Sequence, residues 1–347
     1  MGLLKVTGTL TLNQFWPSGQ SDADTAHVAV KVAQNAFKFQ THPGAPFKAT
    51  HVFDKARVKG KFAPKPAIDK QGRITVRFQG IDAPELHFSP TPLTKKEKSQ
   101  LTSAQLQQFK QLNKKYRQLF GETATVNLHQ ELAKTGQAEI PCSVTTAVSD
   151  PQDVFDTYGR FIGDILVTIN RKEVNLNRWL VEAGWAFPTF YASMSEAEIE
   201  AFLTATKIGK QKKNHLLKHL KKVVGKFEKT LVFRGKGAIF NPAADIGPAL
   251  MPKLFRRLCT YTVYREVGIV TGSFHDFLKN RPDDCFLTND FLTQGTNAAP
   301  MHFLSEFVHT DGKIDKEPQE LVFREKRSSL IGPDGKLIPL PTEWKLS

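Results

Sequence analysis

Hydrophobic and polar residues alternate along the N-terminal part of the chain in short stretches. A period of two is typical of strands that bury one face, and Gly, Pro and Asp residues mark the turns between them. The alternation predicts strands over 6–16, 27–39, 52–61 and 74–78. Short strands joined by tight turns indicate a small barrel or sandwich.

A helical period begins after residue 93. Thr94 and Glu97 have the spacing of a capping box, and apolar residues then recur every three or four positions to about residue 120. The same reasoning predicts further helices and strands to about residue 222. The helices are expected over 122–134, over 176–184 and from Ser195 onward, and the strands over 138–148 and 161–169.

Residues 226–347 differ from the rest in composition. They are rich in Phe and turn residues, and they mix helix and strand signals without an internal repeat. A chain of 347 residues is long enough for two domains. We therefore predict a first domain over 1–225 and a C-terminal α+β accessory domain over 226–347.

The charge is strongly positive and unevenly distributed. The chain carries a net charge of +14, and residues 1–225 hold 31 Lys and Arg against 19 Asp and Glu, a surplus of 12. Residues 226–347 hold 17 against 15, a surplus of 2. Such a surplus favours a polyanionic partner such as nucleic acid, with simple solubility as the alternative.

The Lys-rich stretch 207–222 belongs to the basic first domain. Lys207, Lys210, Lys212 and Lys213 are candidates for contact with a nucleic-acid backbone. His215 and His219 could share a metal, but a solvated helix face is the favoured interpretation because no third ligand lies nearby in the sequence.

The cysteines argue against a disulfide-stabilised protein, and the apolar runs argue against a membrane-spanning one. Cys142, Cys259 and Cys285 form no CxxC pair, and an odd number is a poor disulfide framework. No apolar run approaches the roughly 18 residues that span a bilayer, so no membrane partner is expected. The N-terminus lacks a signal-peptide pattern, which predicts a cytoplasmic protein, or a secreted one if a signal has been removed.

The first candidate for chemistry is the string from Arg77 to Glu85. A strand delivers Arg77, and a turn containing Gly80 and Pro84 presents Asp82 and Glu85. Two carboxylates on one turn can bind a hard cation or hold a water molecule, and a guanidinium suits phosphate oxygens. The spacing alone is also that of an ordinary surface turn.

Two further strings are ambiguous when each is taken alone. Asp22 and Asp24 lie two residues apart before a strand, so their side chains should point to the same side. Asp156-Thr157-Tyr158-Gly159-Arg160 precedes the strand at 161–169 and has the sequence of a turn.

Together the three strings resemble the staphylococcal nuclease-like (thermonuclease) family. An Asp-x-Asp-Thr turn, an Arg-x4-Asp-x-Pro-Glu segment and an Asp-x-Tyr-Gly-Arg segment occur in the family's order. The short helix and the aromatic segment over 175–191 resemble its closing region, so the resemblance covers about residues 5–222. It implies a five-stranded OB-type β-barrel with packed helices, an α+β fold.

The resemblance also implies a role for each matching residue. Asp24, Asp82 and the backbone carbonyl of Ala83 would bind Ca²⁺, and Glu85 would orient or deprotonate the attacking water. Arg77 and Arg160 would stabilise the phosphorane transition state, and Tyr158 and Tyr191 would contact the nucleotide. The implied activity is a calcium-dependent endonuclease or phosphodiesterase acting on DNA, RNA or both.

The chain departs from the family pattern by two predicted insertions, at about 40–72 and 88–137. The first makes the alignment of Asp24 ambiguous, because an alternative alignment would place Ala56 at its position and weaken metal binding. Asp24 is preferred because the Asp-x-Asp-Thr string is complete there. The alternative function is an OB-fold module that binds nucleic acid or protein and has lost turnover.

Overall fold

The structure is a computed structural model that describes residues 1–31, 34–212, 216–326 and 328–345. Val32, Lys213 and His215 lie outside the described residues, so the sequence predictions that fall on them are not assessed. Within these ranges, no helix is long and apolar enough to cross a membrane. Cys142, Cys259 and Cys285 are free and buried.

Short strands dominate the N-terminal half, as the alternation predicts, but the single strand expected over 27–39 is wrong, since one strand ends at Val30 and the next begins at Phe37. In chain order the strands are β1 (Gly2–Thr11), β2 (Thr25–Val30), β3 (Phe37–Gln40), β4 (Lys48–Ala49), β5 (Arg57–Lys59), β6 (Lys65–Pro66), β7 (Arg73–Phe78), β8 (Ile81–Asp82), β9 (Glu139–Val148), β10 (Phe161–Ile169), β11 (Lys172–Asn175), β12 (Phe187–Pro188), β13 (Phe190–Tyr191), β14 (Asp284–Leu287), β15 (His302–Phe303), β16 (Leu321–Phe323) and β17 (Ser329–Ile331).

The helices are α1 (Lys95–Ser99), α2 (Ser103–Leu112), α3 (Gly121–Ala133), α4 (Leu176–Ala183), α5 (Glu196–Lys210), α6 (Pro252–Glu266), α7 (Phe274–Lys279) and α8 (Thr288–Gln294). The capping boxes at Thr94 and Ser195 are present. The single helix expected over 95–120 is wrong. Thr102 forms a second capping box with Gln105, which ends one helix and starts another that stops at Leu112.

Five strands close a barrel. β1 pairs with β2 and β9, β2 pairs with β7, and β10 joins β7 to β9. All these pairings are antiparallel except β7 with β10, which is parallel. Alternate residues of each strand are buried, as in β9, because a closed barrel places every second side chain in its interior. The expected five-stranded barrel and mixed α+β class are confirmed.

The predicted insertion at 40–72 has two structural parts. β4 extends the edge of the sheet beside β3, and β5 with β6 forms a hairpin. β17, from the C-terminal part of the chain, pairs with β5. β5 is therefore paired on both sides, with β6 and with β17, and this holds the hairpin in place.

The C-terminal part packs intimately against the barrel. β16 pairs with β13, and Trp344 stacks on Phe39 with ring centroids 4.0 Å apart. Val322, Leu330 and Trp344 belong to the same buried cluster as the barrel interior. The boundary at 225/226 stays a prediction, but residues on its two sides share a core.

Candidate active site

Arg77, Asp24 and Asp82 form a buried ionic group at one end of the barrel. Strand β7 carries Arg77, and the β2–β7 register places Thr25 opposite it, so that Asp24 lies beside the guanidinium. Arg77 Nη1 is 2.9 Å from Asp24 Oδ2, and Arg77 Nη2 donates to Asp82 Oδ1. The three side chains are 11%, 11% and 1% exposed. Arg77 therefore holds both candidate metal ligands.

The turn after β7 is fixed from both sides. Strand β8, which ends at Asp82, pairs with β12, and the backbone N–H of Ala83 donates to Asp24 Oδ2 at 2.8 Å. Ala56, the alternative to Asp24, lies in the hydrophobic core instead. Asp24 is thus the residue that the fold brings to the turn. The carbonyl of Ala83 as a metal ligand stays a prediction.

Residues of the predicted insertion at 88–137 support Glu85. The backbone N–H of Glu85 donates to Gln118 Oε1 at 2.9 Å, and the Gln118 N–H donates to the Glu85 carbonyl at 2.6 Å. Gly121, at the start of α3, packs so closely that a Cβ there would lie 2.9 Å from the Glu85 carbonyl oxygen. This part of the insertion therefore positions the candidate general base rather than merely enlarging the scaffold.

Arg160 reaches the same group of acids from the turn before β10. Its Nε donates to Asp156 Oδ2 at 2.7 Å, and its Nη1 lies 3.4 Å from the Thr25 hydroxyl, which itself donates to Asp24. The Arg160 side chain is 28% exposed. It is therefore accessible to a ligand, whereas Arg77 is enclosed.

The turn of Arg160 has a close counterpart elsewhere in the barrel. Asp69 and Arg73 are spaced like Asp156 and Arg160, with Gly72 before the arginine, and each aspartate accepts from the backbone two and four residues on. The Asp-x-x-Gly-Arg sequence therefore builds a stable turn regardless of function. It is the position of Arg160 beside the acids that makes it a candidate.

Tyr158 belongs to an exposed aromatic surface. It is 46% exposed, and its ring centroid lies 5.9 Å from that of Phe62, which is 64% exposed. Lys61 Nζ lies 5.9 Å and 5.7 Å from the two centroids, and Arg160 lies 5.5 Å from Tyr158. Exposed rings among cations are typical of surfaces that bind single-stranded nucleic acid. No sequence pattern pointed to Phe62, which lies in the β5–β6 hairpin.

Tyr191, the second predicted nucleotide contact, is partly buried at the inner side of the site. Burial raises the pKa of its hydroxyl, and the nearby charge of Asp82 raises it further. Lys253 Nζ lies 5.9 Å from the Tyr191 ring centroid. Tyr191 is thus near the acids, while Tyr158 lies on the outer surface beside Arg160.

Asp22 adds a further carboxylate to the site. Its Oδ1 is buried and has no hydrogen-bond partner. Burial raises its pKa well above the ordinary value, and the negative charges of Asp24 and Glu85 add to the shift. The carboxyl groups of Asp22, Asp24 and Glu85 therefore lie close together where the family resemblance implies a cation.

Arg256 is a site residue that the sequence did not predict. Helix α6 carries it, and its Nη1 donates to Glu85 Oε1 while its Nη2 lies 3.5 Å from Asp82 Oδ2. Helix α6 carries a basic cluster made of Lys253, Arg256 and Arg257. The small net charge of residues 226–347 concealed this cluster, which was the sequence feature that could have indicated a site residue on α6.

The arginines and the burial of the site act on the acids in opposite directions. Burial works to raise the pKa of Asp82, but Arg256 and Arg77 outweigh it, and this pKa lies below its ordinary value. The pKa of Glu85 stays raised by burial, although Arg256 opposes the shift. Asp82 is accordingly held as the anion.

The acids of the site have the ligand chemistry of a hard-cation site but are not grouped as one in the described residues. Asp22, Asp24 and Asp82 carry carboxylate oxygens, the ligand type that Ca²⁺ prefers, and the Oδ1 of Asp22 accepts no hydrogen bond. In the part of the chain that the structure describes, no three His, Cys, Asp or Glu side chains are grouped as a metal site. Arg77 and Arg256 bind the acids instead.

The closed five-stranded barrel and its end-on group of arginines and carboxylates define a nuclease-like OB-type domain. A family model described as staphylococcal nuclease homologue matches residues 75–218, which confirms the predicted family resemblance over that range. The matched range contains Arg77, Asp82, Glu85, Tyr158, Arg160 and Tyr191, and it begins after Asp24. A search of curated proteins found no match. The domain indicates a nuclease or nucleic-acid-binding function.

Proposed function

We propose that the protein is a calcium-dependent nuclease that hydrolyses phosphodiester bonds of DNA, RNA or both. The observation that carries the proposal is the convergence of Arg77, Asp82, Glu85 and Arg160 with Asp24 at one end of the barrel. The excess of positive charge suits a polyanionic substrate.

Each side chain has a distinct part in the proposed reaction. Arg160, which is accessible, binds the phosphate and stabilises the charge that builds on phosphorus. Arg77 contributes positive charge from its buried position, where it also holds Asp24 and Asp82. Glu85 orients or deprotonates the attacking water. Asp24, Asp82 and the Ala83 carbonyl would hold Ca²⁺, with Asp22 beside them. When bound, the ion offsets the negative charge of the phosphodiester.

Cleavage is expected to require calcium. The protein should cut labelled single- or double-stranded DNA or RNA with Ca²⁺ present, and a chelator should abolish the cleavage because the acids would then lack their divalent cation. Restoring excess Ca²⁺ to the chelated sample should restore the rate. Equal cleavage with Ca²⁺ and with chelator would contradict the metal dependence.

We also propose that Phe62 and Tyr158 stack on bases of an unpaired strand next to the bound phosphate. Phe62→Ala is expected to weaken binding of a single-stranded oligonucleotide by about 5-fold to 100-fold, the loss of one stacking contact. Phe47→Ala is the matched control, because Phe47 is an exposed phenylalanine in the same predicted insertion, outside the hairpin. Fluorescence anisotropy measures both affinities, and equal losses would contradict a specific role for Phe62.

The alternative function is a nucleic-acid- or protein-binding module without turnover. The pairing of Arg77 and Arg256 with the acids favours it, since these cations offset the carboxylates without a metal. Calcium-dependent cleavage separates the two functions. Binding without cleavage of any of the four nucleic-acid forms would support the module.

A further inference from the structure

Helix α6 brings positive charge to the acidic end of the barrel. Gln118 connects the Glu85 turn to the start of α6. Its Oε1 accepts from the Glu85 N–H, and its Nε2 donates to the carbonyl of Leu250, just before α6, at 2.8 Å. The Thr91 N–H also lies 3.3 Å from the Thr260 hydroxyl on α6. The position of Arg256 against Glu85 is therefore set by backbone and side-chain contacts on both sides of it.

The three arginines of the site differ in accessibility. Arg77 is 11% exposed, and both of its terminal nitrogens are engaged by Asp24 and Asp82. Arg256 and Arg160 are 30% and 28% exposed. A guanidinium has five donors, so Arg256 keeps donors beyond those directed at Glu85 and Asp82. Of these three arginines, Arg160 and Arg256 are therefore the accessible ones.

The barrel alone supplies more carboxyl groups than arginines to this end of the site. Asp22, Asp24, Asp82 and Glu85 lie together there, and like charges repel an anionic substrate. Arg256 offsets part of this negative charge from outside the barrel. A guanidinium binds carboxylate and phosphate with the same fork geometry. Arg256 can therefore release Glu85 and bind a phosphate instead without leaving its own donors unsatisfied.

We propose that Arg256 is a substrate-binding residue that binds a phosphate group of the nucleic acid next to the bond to be cleaved. The inference rests on the proposed function for the identity of the substrate. The C-terminal part of the chain thereby completes a site that the barrel begins. Phosphate displaces the Arg256–Glu85 contact, and this leaves the Glu85 carboxylate free to act on water.

The test is binding of a fluorescent single-stranded oligonucleotide to the whole protein in chelator, where no cleavage is expected. Arg256→Ala should weaken binding about 10-fold to 100-fold, the loss of one charge-assisted hydrogen-bonding group. The slope of log affinity against log salt should fall by about 0.7, the value for one lost phosphate contact on a single strand. Arg256→Lys should recover part of the affinity, because it keeps the charge without the fork.

Arg265→Ala is the matched control. Arg265 is on the last turn of the same helix and lies 3.4 Å from the Tyr261 hydroxyl, so the substitution removes the same charge away from Glu85. It should keep the wild-type salt slope. Arg256→Gln serves in place of the alanine variant if that variant does not fold, as judged by circular dichroism and thermal melting.

Three results would overturn the inference. The first is an unchanged affinity and salt slope in Arg256→Ala. The second is tighter binding by that variant, which would mean that Arg256 blocks the site. The third is absence of binding by the wild type. The proposed nuclease activity is judged separately, by calcium-dependent cleavage. Wild-type binding that depends on Arg256 without any cleavage would therefore support the inference and contradict the activity.

Discussion

Arg77→Ala is expected to lower the free energy of unfolding by about 3–5 kcal/mol, because it leaves buried carboxylates without their partner. Asp24 and Asp82 are 11% and 1% exposed, and both bind this guanidinium. Chemical denaturation of the purified protein measures the loss. The burial of these ion pairs therefore predicts a loss of stability in this variant in addition to any loss of activity.

A charge-neutral variant tests the reason for the loss. Arg77→Met combined with Asp24→Asn and Asp82→Asn removes the cation and both anions, so it should recover much of the stability that Arg77→Ala loses. A loss below about 1 kcal/mol, the range of an exposed pair, in Arg77→Ala would show that these pairs are weaker than their burial indicates. Reduced activity in an unstable Arg77 variant would not identify a catalytic role.

Arg160→Ala is expected to lower kcat by about 10²-fold to 10³-fold, the usual effect of removing one preorganised donor to a transition state. Arg160 is partly exposed and pairs with Asp156 within its own turn, so its loss should change the free energy of unfolding by about 1 kcal/mol or less. Steady-state cleavage in calcium, with a parallel denaturation curve, separates the two effects.

Arg73→Ala is a matched control for Arg160→Ala. Both arginines follow a glycine in an Asp-x-x-Gly-Arg turn and pair with the aspartate four residues before them. Both substitutions therefore remove the ion pair with the aspartate of the turn. Arg73→Ala should leave kcat unchanged, and an equal fall in both variants would assign the effect to turn stability instead of phosphate binding.

The sequence predicts the barrel well because its signals are local. Alternation fixes strands such as Phe161–Ile169, and side-chain caps such as Ser195 mark where helices begin. The helix expected over 95–120 failed at Thr102, where a second cap competes with continuation of the apolar period. Periodicity alone does not register such a break.

The site could be predicted in part for the same reason. Arg77, Asp82 and Glu85 lie on one string, so a single turn brings them together. Arg256 lies 171 residues from Glu85, and a contact over that distance leaves no periodic trace in the sequence. Phe62 depends likewise on the packing of a hairpin against a distant turn.

The arginines and acids at the end of the barrel are proposed to cleave phosphodiester bonds. The most direct measurement compares the wild type with Arg160→Ala, purified in parallel, on the same labelled DNA and RNA in saturating calcium. We expect cleavage by the wild type and a rate lower by a factor of about 10² or more for the variant. Equal rates, or no cleavage by the wild type on any substrate, would contradict it.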